Sequence, residues 1–266
     1  MRTPLPETLV EHALNYRGPP VTPAAAATIV LLRDGDEGLE TYLLRRSPKL
    51  AFAPSFDVFP GGRVDAADSD VVVGWAGPDE AAWSRQLECD EDTARAVVVA
   101  AVRETFEESG VLLASGSAEF WNSPSYVEDR RRDRAALEGS EISLAPYLAR
   151  HGLVLRSDHL AAWSHWLTPE FEPRRYATWF LVAAVPPGQA VDHVAGESDH
   201  ARWVPLRHVT RAVDAGEIKM LPPTITTCRE LEGMDVATVM AMARTQTPAR
   251  HTATLIEENG RYFLQH

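Results

Sequence analysis

Residues Arg103 to Gly110, RETFEESG, carry three acidic side chains at helical spacing. Glu104, Glu107 and Glu108 stand at i, i+3 and i+4, so their carboxylates converge on one turn of a helix. Like charges at this spacing destabilise a helix by roughly 0.2–0.5 kcal/mol per pair, and Arg103 is the only basic residue in the stretch. A hard divalent cation, which prefers oxygen ligands, would neutralise such a cluster. The stretch therefore predicts a metal site on a helix.

The helix that carries these carboxylates is predicted to be mostly buried. Its other faces are apolar, through Val97, Val98, Val99, Ala100, Ala101, Val102 and Phe106. A solvated, glutamate-rich helix end is the simpler alternative, but it does not explain the apolar faces. Asp90 or Thr93 is expected to cap the start of the helix, and Gly110 to end it in the left-handed conformation.

The same stretch resembles the second half of the Nudix box, R-E-U-x-E-E-x-G-U with U aliphatic, although Thr105 stands at the first U position. The first half of the box is found in FPGGRVDAAD, where Gly62 is the box glycine and Asp68 replaces the usual Glu. Between Asp68 and Arg103 lie 34 residues, where the family pattern has seven. Such an insertion is typical of a subfamily similar to the peroxisomal coenzyme A diphosphatase of mammals.

A further element resembles the one that precedes the box in coenzyme A-directed Nudix enzymes. Arg46, Ser47 and the FPGG of residues 59–62 match this element, whereas Ala51 replaces an Arg and Ser55 replaces a Gly. The resemblance extends over roughly residues 24 to 235. It implies cleavage of the diphosphate of CoA or acyl-CoA to 3′,5′-ADP and (acyl-)4′-phosphopantetheine.

The resemblance also implies roles for individual residues. The ligands of Mg²⁺ or Mn²⁺ would be Glu104, Glu107, Glu108 and Gly62 with its neighbouring carbonyl. Glu104 would also accept a proton from water, and Arg103 would orient the carboxylates. Two roles stay open for Asp68, an auxiliary acid or a structural partner of Arg103.

Other residues are candidates for contacts with a phosphorylated substrate. Guanidinium groups match phosphate oxygens, and the candidates are Arg46, Arg63, Arg174 and Arg175. Glu197 is a candidate loop acid, with an ordinary surface acid as the alternative. Tyr126 stands sixteen residues after Gly110, a place where dinucleoside polyphosphate hydrolases can carry a tyrosine.

Two alternatives to CoA hydrolysis follow from the same residues. The first keeps the chemistry and changes the substrate to ADP-ribose, NADH or a dinucleoside polyphosphate. The second is a non-catalytic Nudix module that binds a nucleotide without turnover. The complete set of box carboxylates argues against the second alternative, because a silent module does not need them.

Composition narrows the class of protein. With 266 residues and 45% hydrophobic content, the chain can bury a full core, and its net charge of −12 argues against nucleic acid as a partner. Cys89 and Cys228 lack the spacing of a metal site or disulfide framework. The first residues lack the apolar core of a secretory signal, and AAAATIVLL is too short to cross a bilayer. We expect a cytoplasmic protein without a membrane partner, and the oligomeric state, including a homodimer, stays open.

The predicted fold is an α/β/α sandwich around a mixed sheet, with helices late in the chain. Predicted strands occupy residues 28–32, 40–44, 111–114, 159–167, 178–185 and 201–205. The charge run at residues 130–134 is expected to separate two helices and to be solvated. We expect an N-terminal extension over residues 1–23, a Nudix domain over 24–235 and a helical or extended tail over 236–266. Residues 69–92 are expected to form an insertion within the box that lies on the surface.

Overall fold

The computed structural model describes residues 2–4, 7–50, 53–70, 74–192 and 198–265. The strands in these ranges are β1 Arg2–Pro4, β2 Ala24–Gly35, β3 Gly38–Arg46, β4 Asp57–Val58, β5 Gly61–Arg63, β6 Trp75–Ala76, β7 Leu155–Arg156, β8 Leu160–Leu167, β9 Tyr176–Ala184, β10 Ser198–Pro205, β11 Ala249–Thr252, β12 Thr254–Glu258 and β13 Arg261–Gln265. The α-helices are α1 Glu7–Asn15, α2 Ala66–Asp70, α3 Glu80–Leu87, α4 Glu91–Ser109, α5 Ala118–Trp121, α6 Pro124–Glu138, α7 Leu144–Arg150, α8 Leu206–Asp214, α9 Pro222–Leu231 and α10 Val236–Thr245, and a 3₁₀ turn spans Ser157–His159.

A mixed sheet forms the centre of the molecule. Its strands run in the order β10-β3-β2-β9-β8-β11, with β4 added to β3 and β5 added to β2. The β2–β9 and β8–β11 pairs are parallel, and the other pairs of this sheet are antiparallel. The predicted mixed sheet is therefore confirmed.

Helices cover both faces of this sheet. Successive residues of β2 alternate between the two cores, with Ile29 and Leu31 in the first and Val30 and Leu32 in the second, as the pleat of a strand requires. The first core is completed by α3 to α7, and the second by α8 to α10. The predicted three-layer α/β/α arrangement is confirmed.

Helix α4 lies in the first core and is buried along most of its length. Its core-forming side chains include every residue from Ala96 to Val102, together with Phe106. Asp90 is the N-cap, and its carboxylate accepts a hydrogen bond from the Thr93 N–H at 2.8 Å. Gly110 ends the helix with φ of +74°, a left-handed conformation that costs a glycine little. The expected burial and both expected helix ends are confirmed.

Part of the insertion within the box belongs to the core, contrary to the predicted surface excursion. Helix α3 buries Trp83 and Leu87 in the first core. The carbonyl of Leu87 also accepts a hydrogen bond at 3.1 Å from the indole N–H of Trp179 in β9. The prediction of a surface excursion was wrong for α3, because the second half of the insertion supplies apolar side chains to the main core.

Two local predictions need correction. Residues 111–113 form no strand, and Ala114 makes one isolated bridge to Leu155. The side-chain amide of Gln189 instead bonds both the N–H and the carbonyl of Leu112, at 2.8 and 2.7 Å, as a neighbouring strand would. The charge run at 130–134 lies inside one continuous helix, α6.

The two ends of the described chain meet in a separate small sheet. Strand β1 pairs antiparallel with β13, which pairs with β12. Nearby in sequence, α10 packs in the second core and β11 extends the main sheet beside β8. The domain boundaries at residues 23 and 235 stay a prediction. Within the described ranges, no helix has the length and apolar character to cross a bilayer.

Candidate metal and active site

The two halves of the interrupted box lie against each other. Strand β5 pairs with β2, and this places Gly62 beside the carboxylate of Glu104. A Cβ atom at Gly62 would stand 2.3 Å from Glu104 Oε1, well inside van der Waals contact. The neighbouring Gly61 N–H donates a hydrogen bond of 2.7 Å to Glu108 Oε2. Any side chain at position 62 would therefore require the Glu104 carboxylate to move from this place.

Arg103 is the centre of the ionic network. Its guanidinium donates two hydrogen bonds of 3.0 Å to the two carboxylate oxygens of Asp68. It donates further bonds to Glu104 at 2.9 Å and Glu107 at 3.0 Å, and a fifth of 3.0 Å to the carbonyl of Arg63. The two bonds to Asp68 and the one to the Arg63 carbonyl join the first half of the box to the helix of the second half, and the other two lie within that helix. Arg103 therefore contacts two of the three carboxylates, and its role in orienting them for catalysis stays a prediction.

Asp68 is a buried partner of this arginine. Only 2% of Asp68 is exposed, and its Oδ2 atom also accepts the N–H of Asp65 at 2.9 Å. The bidentate geometry matches the planar guanidinium of Arg103 and fixes its position. Of the two roles left open by the sequence, this contact supports the structural one.

Burial sets the electrostatics of the carboxylates. Removal from water raises the pKa of Glu104 to about 7 and that of Glu107 to about 8, although Arg103 opposes both shifts. Burial alone would lower the pKa of Arg103, but its bonds to Asp68 and the charges of Asp68, Glu104 and Glu107 raise it above its ordinary value. Three acids share one guanidinium here, so the site has an excess of negative charge when all of them are ionised.

The donor set fits a divalent cation after rotation of side chains. The Oε1 atom of Glu107 is buried and has no hydrogen-bond partner among the described residues. In the described part of the chain, no three acidic, histidine or cysteine side chains already converge in a coordinating arrangement. Glu104 and Glu107 turn towards Arg103, and Glu108 turns towards the Gly61 N–H. Because carboxylate oxygens are the preferred ligands of Mg²⁺ and Mn²⁺, rotation of these side chains would produce an oxygen site.

A polar residue inside the box helix is accommodated by the helix itself. Thr105 is fully buried where the box pattern has an aliphatic residue, and its hydroxyl donates to the carbonyl of Ala101 at 2.7 Å. Ser109 bonds the carbonyl of Thr105 in the same way at 2.6 Å. These bonds satisfy the hydroxyl donors, so the departure from the pattern does not leave them unpaired.

Arg134 supports the end of α4 and was not found from the sequence. It is 2% exposed and donates to the carbonyls of Glu107 at 2.8 Å and Asp192 at 2.6 Å. Cations at a helix C-terminus are stabilised by the carbonyls that end there. The charge of Arg134 also acts on the buried hydroxyl of Tyr42. Burial raises the pKa of this hydroxyl to about 12; the positive charge of Arg134 opposes the rise, and the negative charges of Glu108 and Asp192 add to it. The charge run at 130–134 indicated only a solvated helix surface.

The four candidate substrate arginines lie in different environments. Arg46 follows Tyr42 and Leu44 at two-residue spacing in β3, and these two residues pack in the core that contains α4. The carbonyl of Arg63 is bound by Arg103, while its side chain is exposed. Arg174 is exposed, whereas Arg175 is buried and donates to the carbonyls of Thr168 and Val21. Contact with a phosphate stays a prediction for all four.

Four further positions were singled out in the sequence, and the structure describes two of them. Glu197 and Ala51 lie outside the described residues. Ser55 has φ of +62°, the left-handed conformation that a glycine adopts readily, at the position where the family element has Gly. Tyr126 is 3% exposed and lies in an aromatic cluster with Phe120 and Trp121.

Three features together define a Nudix hydrolase. They are the α/β/α sandwich, the two halves of the box lying against each other, and Arg103 with its five hydrogen bonds. The chain belongs to the family of the NUDT19 Nudix domain, whose family model matches residues 24–231. This match confirms the resemblance found in the sequence. Nudix hydrolases generally use divalent metal ions.

Two relatives support this assignment. The chain is 26% identical over 183 residues to "Putative nudix hydrolase 7" of Caenorhabditis elegans, which covers 69% of this chain and 52% of that protein. The chain thus spans about half the length of this relative. The crystal structure of a NUDIX hydrolase from Alicyclobacillus acidocaldarius is 26% identical, covers 83% of this chain and 96% of that one, and superposes with a TM-score of 0.66.

Proposed function

We propose that this protein hydrolyses the diphosphate of CoA or acyl-CoA to 3′,5′-ADP and (acyl-)4′-phosphopantetheine with Mg²⁺ or Mn²⁺. The observation that carries the proposal is the closure of the box across its insertion, where Gly62 meets Glu104 and Asp68 meets Arg103. The match to the NUDT19 Nudix domain and the partial coenzyme A element at residues 46–62 favour CoA over other nucleotides.

The burial of the carboxylates and their place on one turn of α4 support this proposal. Glu104, Glu107 and Glu108 would hold the cation, which supplies charge neutralisation for the diphosphate and a lower pKa for the attacking water. Glu104 would accept the proton of the water. In the absence of a cation, burial raises its pKa to about 7, and a bound cation would favour the ionised form that accepts a proton.

Arg103 and Asp68 keep the acids in place throughout the reaction. The bidentate contact between them fixes the guanidinium independently of Glu104 and Glu107. The two glutamates can therefore turn from the arginine to the cation while the arginine stays in position. Arg103 acts through these carboxylates and is a positioning residue in this proposal.

A substrate panel tests the proposal. The purified chain is incubated with Mg²⁺ or Mn²⁺ and CoA, acetyl-CoA, ADP-ribose, NADH or diadenosine tetraphosphate, and products are resolved by chromatography. We expect 3′,5′-ADP from CoA, and a loss in kcat of roughly 10²–10⁴-fold in Glu107→Gln. Glu91→Gln is the matched control, because Glu91 is exposed in the first turn of the same helix.

The outcomes separate the alternatives. A much higher kcat/KM for ADP-ribose, NADH or diadenosine tetraphosphate than for CoA rejects the substrate and keeps the chemistry. Nucleotide binding without turnover of any compound in the panel supports the silent module instead. Equal activity in Glu107→Gln and Glu91→Gln would reject the assigned metal site.

A further inference from the structure

A cavity of about 600 Å³ lies beside residues 188–192, which contact the last turn of α4, and no residue of the box lines it. Helices α5 and α6 form one side of it, and residues 188–192 form the other. Its volume lies within the range of small-molecule sites, roughly 300–1,000 Å³. The lining combines apolar groups, such as Val127 and Val191, with the guanidinium groups of Arg130 and Arg131.

Two arginines of this cavity share one nearby acid. Asp192 receives hydrogen bonds from Arg130 at 3.0 Å and from Arg131 at 3.2 Å. The buried Arg134, which does not line the cavity, lies 3.8 Å from the same carboxylate. With Glu128, the lining carries two basic and two acidic side chains, so its formal charge is balanced, and both guanidinium groups project from one helix, α6.

Hydrogen-bond donors remain available on these arginines. A guanidinium carries five N–H groups, and the contacts with described residues use one on Arg130 and two on Arg131. The side-chain amides of Gln189 and Asn122 already form hydrogen bonds with backbone groups, so the arginines are the polar groups that we expect to bind a ligand. Planar guanidinium groups with free N–H donors match phosphate oxygens.

The cavity is joined to the carboxylate helix by direct contacts. Arg134 bridges the carbonyls of Glu107 and Asp192, and the Asp192 N–H donates to the carbonyl of Ser109 at 2.7 Å. The wall that presents Asp192 is therefore anchored to the last turn of α4, the turn that carries Glu107 and Glu108. This connection is the basis for assigning the non-reacting end of a substrate held at the carboxylates to this wall.

We propose that this cavity binds a phosphomonoester on the non-reacting end of the substrate through Arg130 and Arg131. The proposal rests on the proposed function, since the 3′-phosphate of CoA is the group that it assigns to the cavity. Apolar walls beside two guanidinium groups fit a phosphorylated nucleoside, whose base is apolar on its faces. ADP-ribose and NADH lack such a phosphate, so the cavity would also contribute to selectivity.

Direct binding tests the cavity without turnover. Full-length protein in EDTA is titrated calorimetrically with 3′,5′-ADP and with 5′-AMP, which differ by the 3′-phosphate. We expect tighter binding of 3′,5′-ADP, and roughly a three- to tenfold loss of its affinity in Arg131→Ala, a range set by one charge-assisted hydrogen bond at an exposed side chain. Arg131 is 71% exposed, so this variant should fold normally.

Arg132→Ala is the matched control. Arg132 is 68% exposed on the same helix, and it pairs with Asp129 outside the cavity. Equal effects of the two variants, an equal loss for both nucleotides, or no binding of 3′,5′-ADP by the unaltered protein would each overturn the inference.

Turnover with CoA and 3′-dephospho-CoA separates this inference from the proposed function. Arg131→Ala should lower the ratio of kcat/KM for CoA to kcat/KM for 3′-dephospho-CoA by the same three- to tenfold factor. If CoA is hydrolysed and this ratio does not change, the cavity assignment fails and the proposed function stands. If CoA is not hydrolysed but 3′,5′-ADP binding depends on Arg131, the cavity stands and the proposed function fails.

Discussion

Replacement of Arg103 by Lys tests how much of the site depends on the shape of the guanidinium. The variant keeps the positive charge between the acids but offers three donors on one nitrogen, against the five bonds observed. At least two hydrogen bonds are lost, and the paired bonds to Asp68 cannot be reproduced. The change therefore separates geometry from charge.

The size of the effect follows from these contacts. Hydrogen bonds to charged groups contribute about 1.5–3 kcal/mol each, so two lost bonds correspond to about 3 kcal/mol at the lower end. The lower end applies because the lysine still neutralises part of the acidic charge. For a chain of this size, each 1 kcal/mol corresponds to roughly 2–4 °C, which predicts a fall in Tm of about 6–12 °C.

The assay is thermal and urea unfolding in EDTA, followed by circular dichroism. Arg132→Lys serves as control, since Arg132 is 68% exposed and its pair with Asp129 is solvated. A surface change of this kind should stay within about 0.5 kcal/mol. If Arg103→Lys is no less stable than Arg132→Lys, the bidentate contact with Asp68 does not hold the two halves of the box together.

Further expected outcomes concern the glycine, the acids and a strained serine. Gly62→Ala should lower kcat on the order of 10²-fold, because its Cβ would displace the Glu104 carboxylate by about 1 Å. Gly18→Ala should leave kcat unchanged, because its Cβ would meet only a ring carbon of Tyr16, at an ordinary contact distance of 4.0 Å. Full activity in Gly62→Ala would reject the close approach as part of the active arrangement. In EDTA, Glu104 and Glu107 have raised pKa values in the folded state and stay protonated at pH values where the same residues of the unfolded chain, with a pKa of 4.5, have lost their protons. Because deprotonation then favours the unfolded chain, Tm should fall as pH rises from about 5 to 8. Saturating Mg²⁺ should oppose that fall, and a flat Tm profile in EDTA would contradict the raised pKa values. Ser55→Gly should stabilise the fold by about 0.5–1 kcal/mol through relief of its left-handed conformation, as measured by urea unfolding, and destabilisation would show that the serine hydroxyl outweighs the strain.

The catalytic helix could be predicted because its information is local. Three glutamates at helical spacing, an apolar remainder, Asp90 before it and Gly110 after it lie within about twenty residues, and the structure has all of them where expected. Strands with clear apolar runs were found for the same reason, although β2 begins earlier than predicted, at Ala24. Four successive alanines show no alternation of apolar and polar residues, so the sequence does not indicate where this strand begins. Its start at Ala24 follows from the pairing with β9.

The two residues whose burial was not predicted, Arg134 and Trp83, are buried by partners that are distant in the sequence. Arg134 is buried because it meets Glu107 and Asp192, which lie 27 and 58 residues away. Trp83 belongs to the core because α3 packs against α4 and beside Trp179. A charge run and a short amphipathic segment carry no signal for such contacts. The interpretation as solvated surface was therefore wrong for Trp83 and Arg134, although Arg131 and Arg132 of the same charge run are exposed.

The pairing of β1 with β13 makes the linear order of the elements partly arbitrary. Arg2 and Gln265 face each other across two strands, so a short linker could join the first and last strands into a closed ring. Such a ring could be opened at the exposed Gly74 in the insertion, between the two halves of the box. Arg103 would then precede Gly62 in the chain while both kept their places in space. In such a chain, the contacts between the two halves of the box would depend on packing and not on the order in which the halves are synthesised.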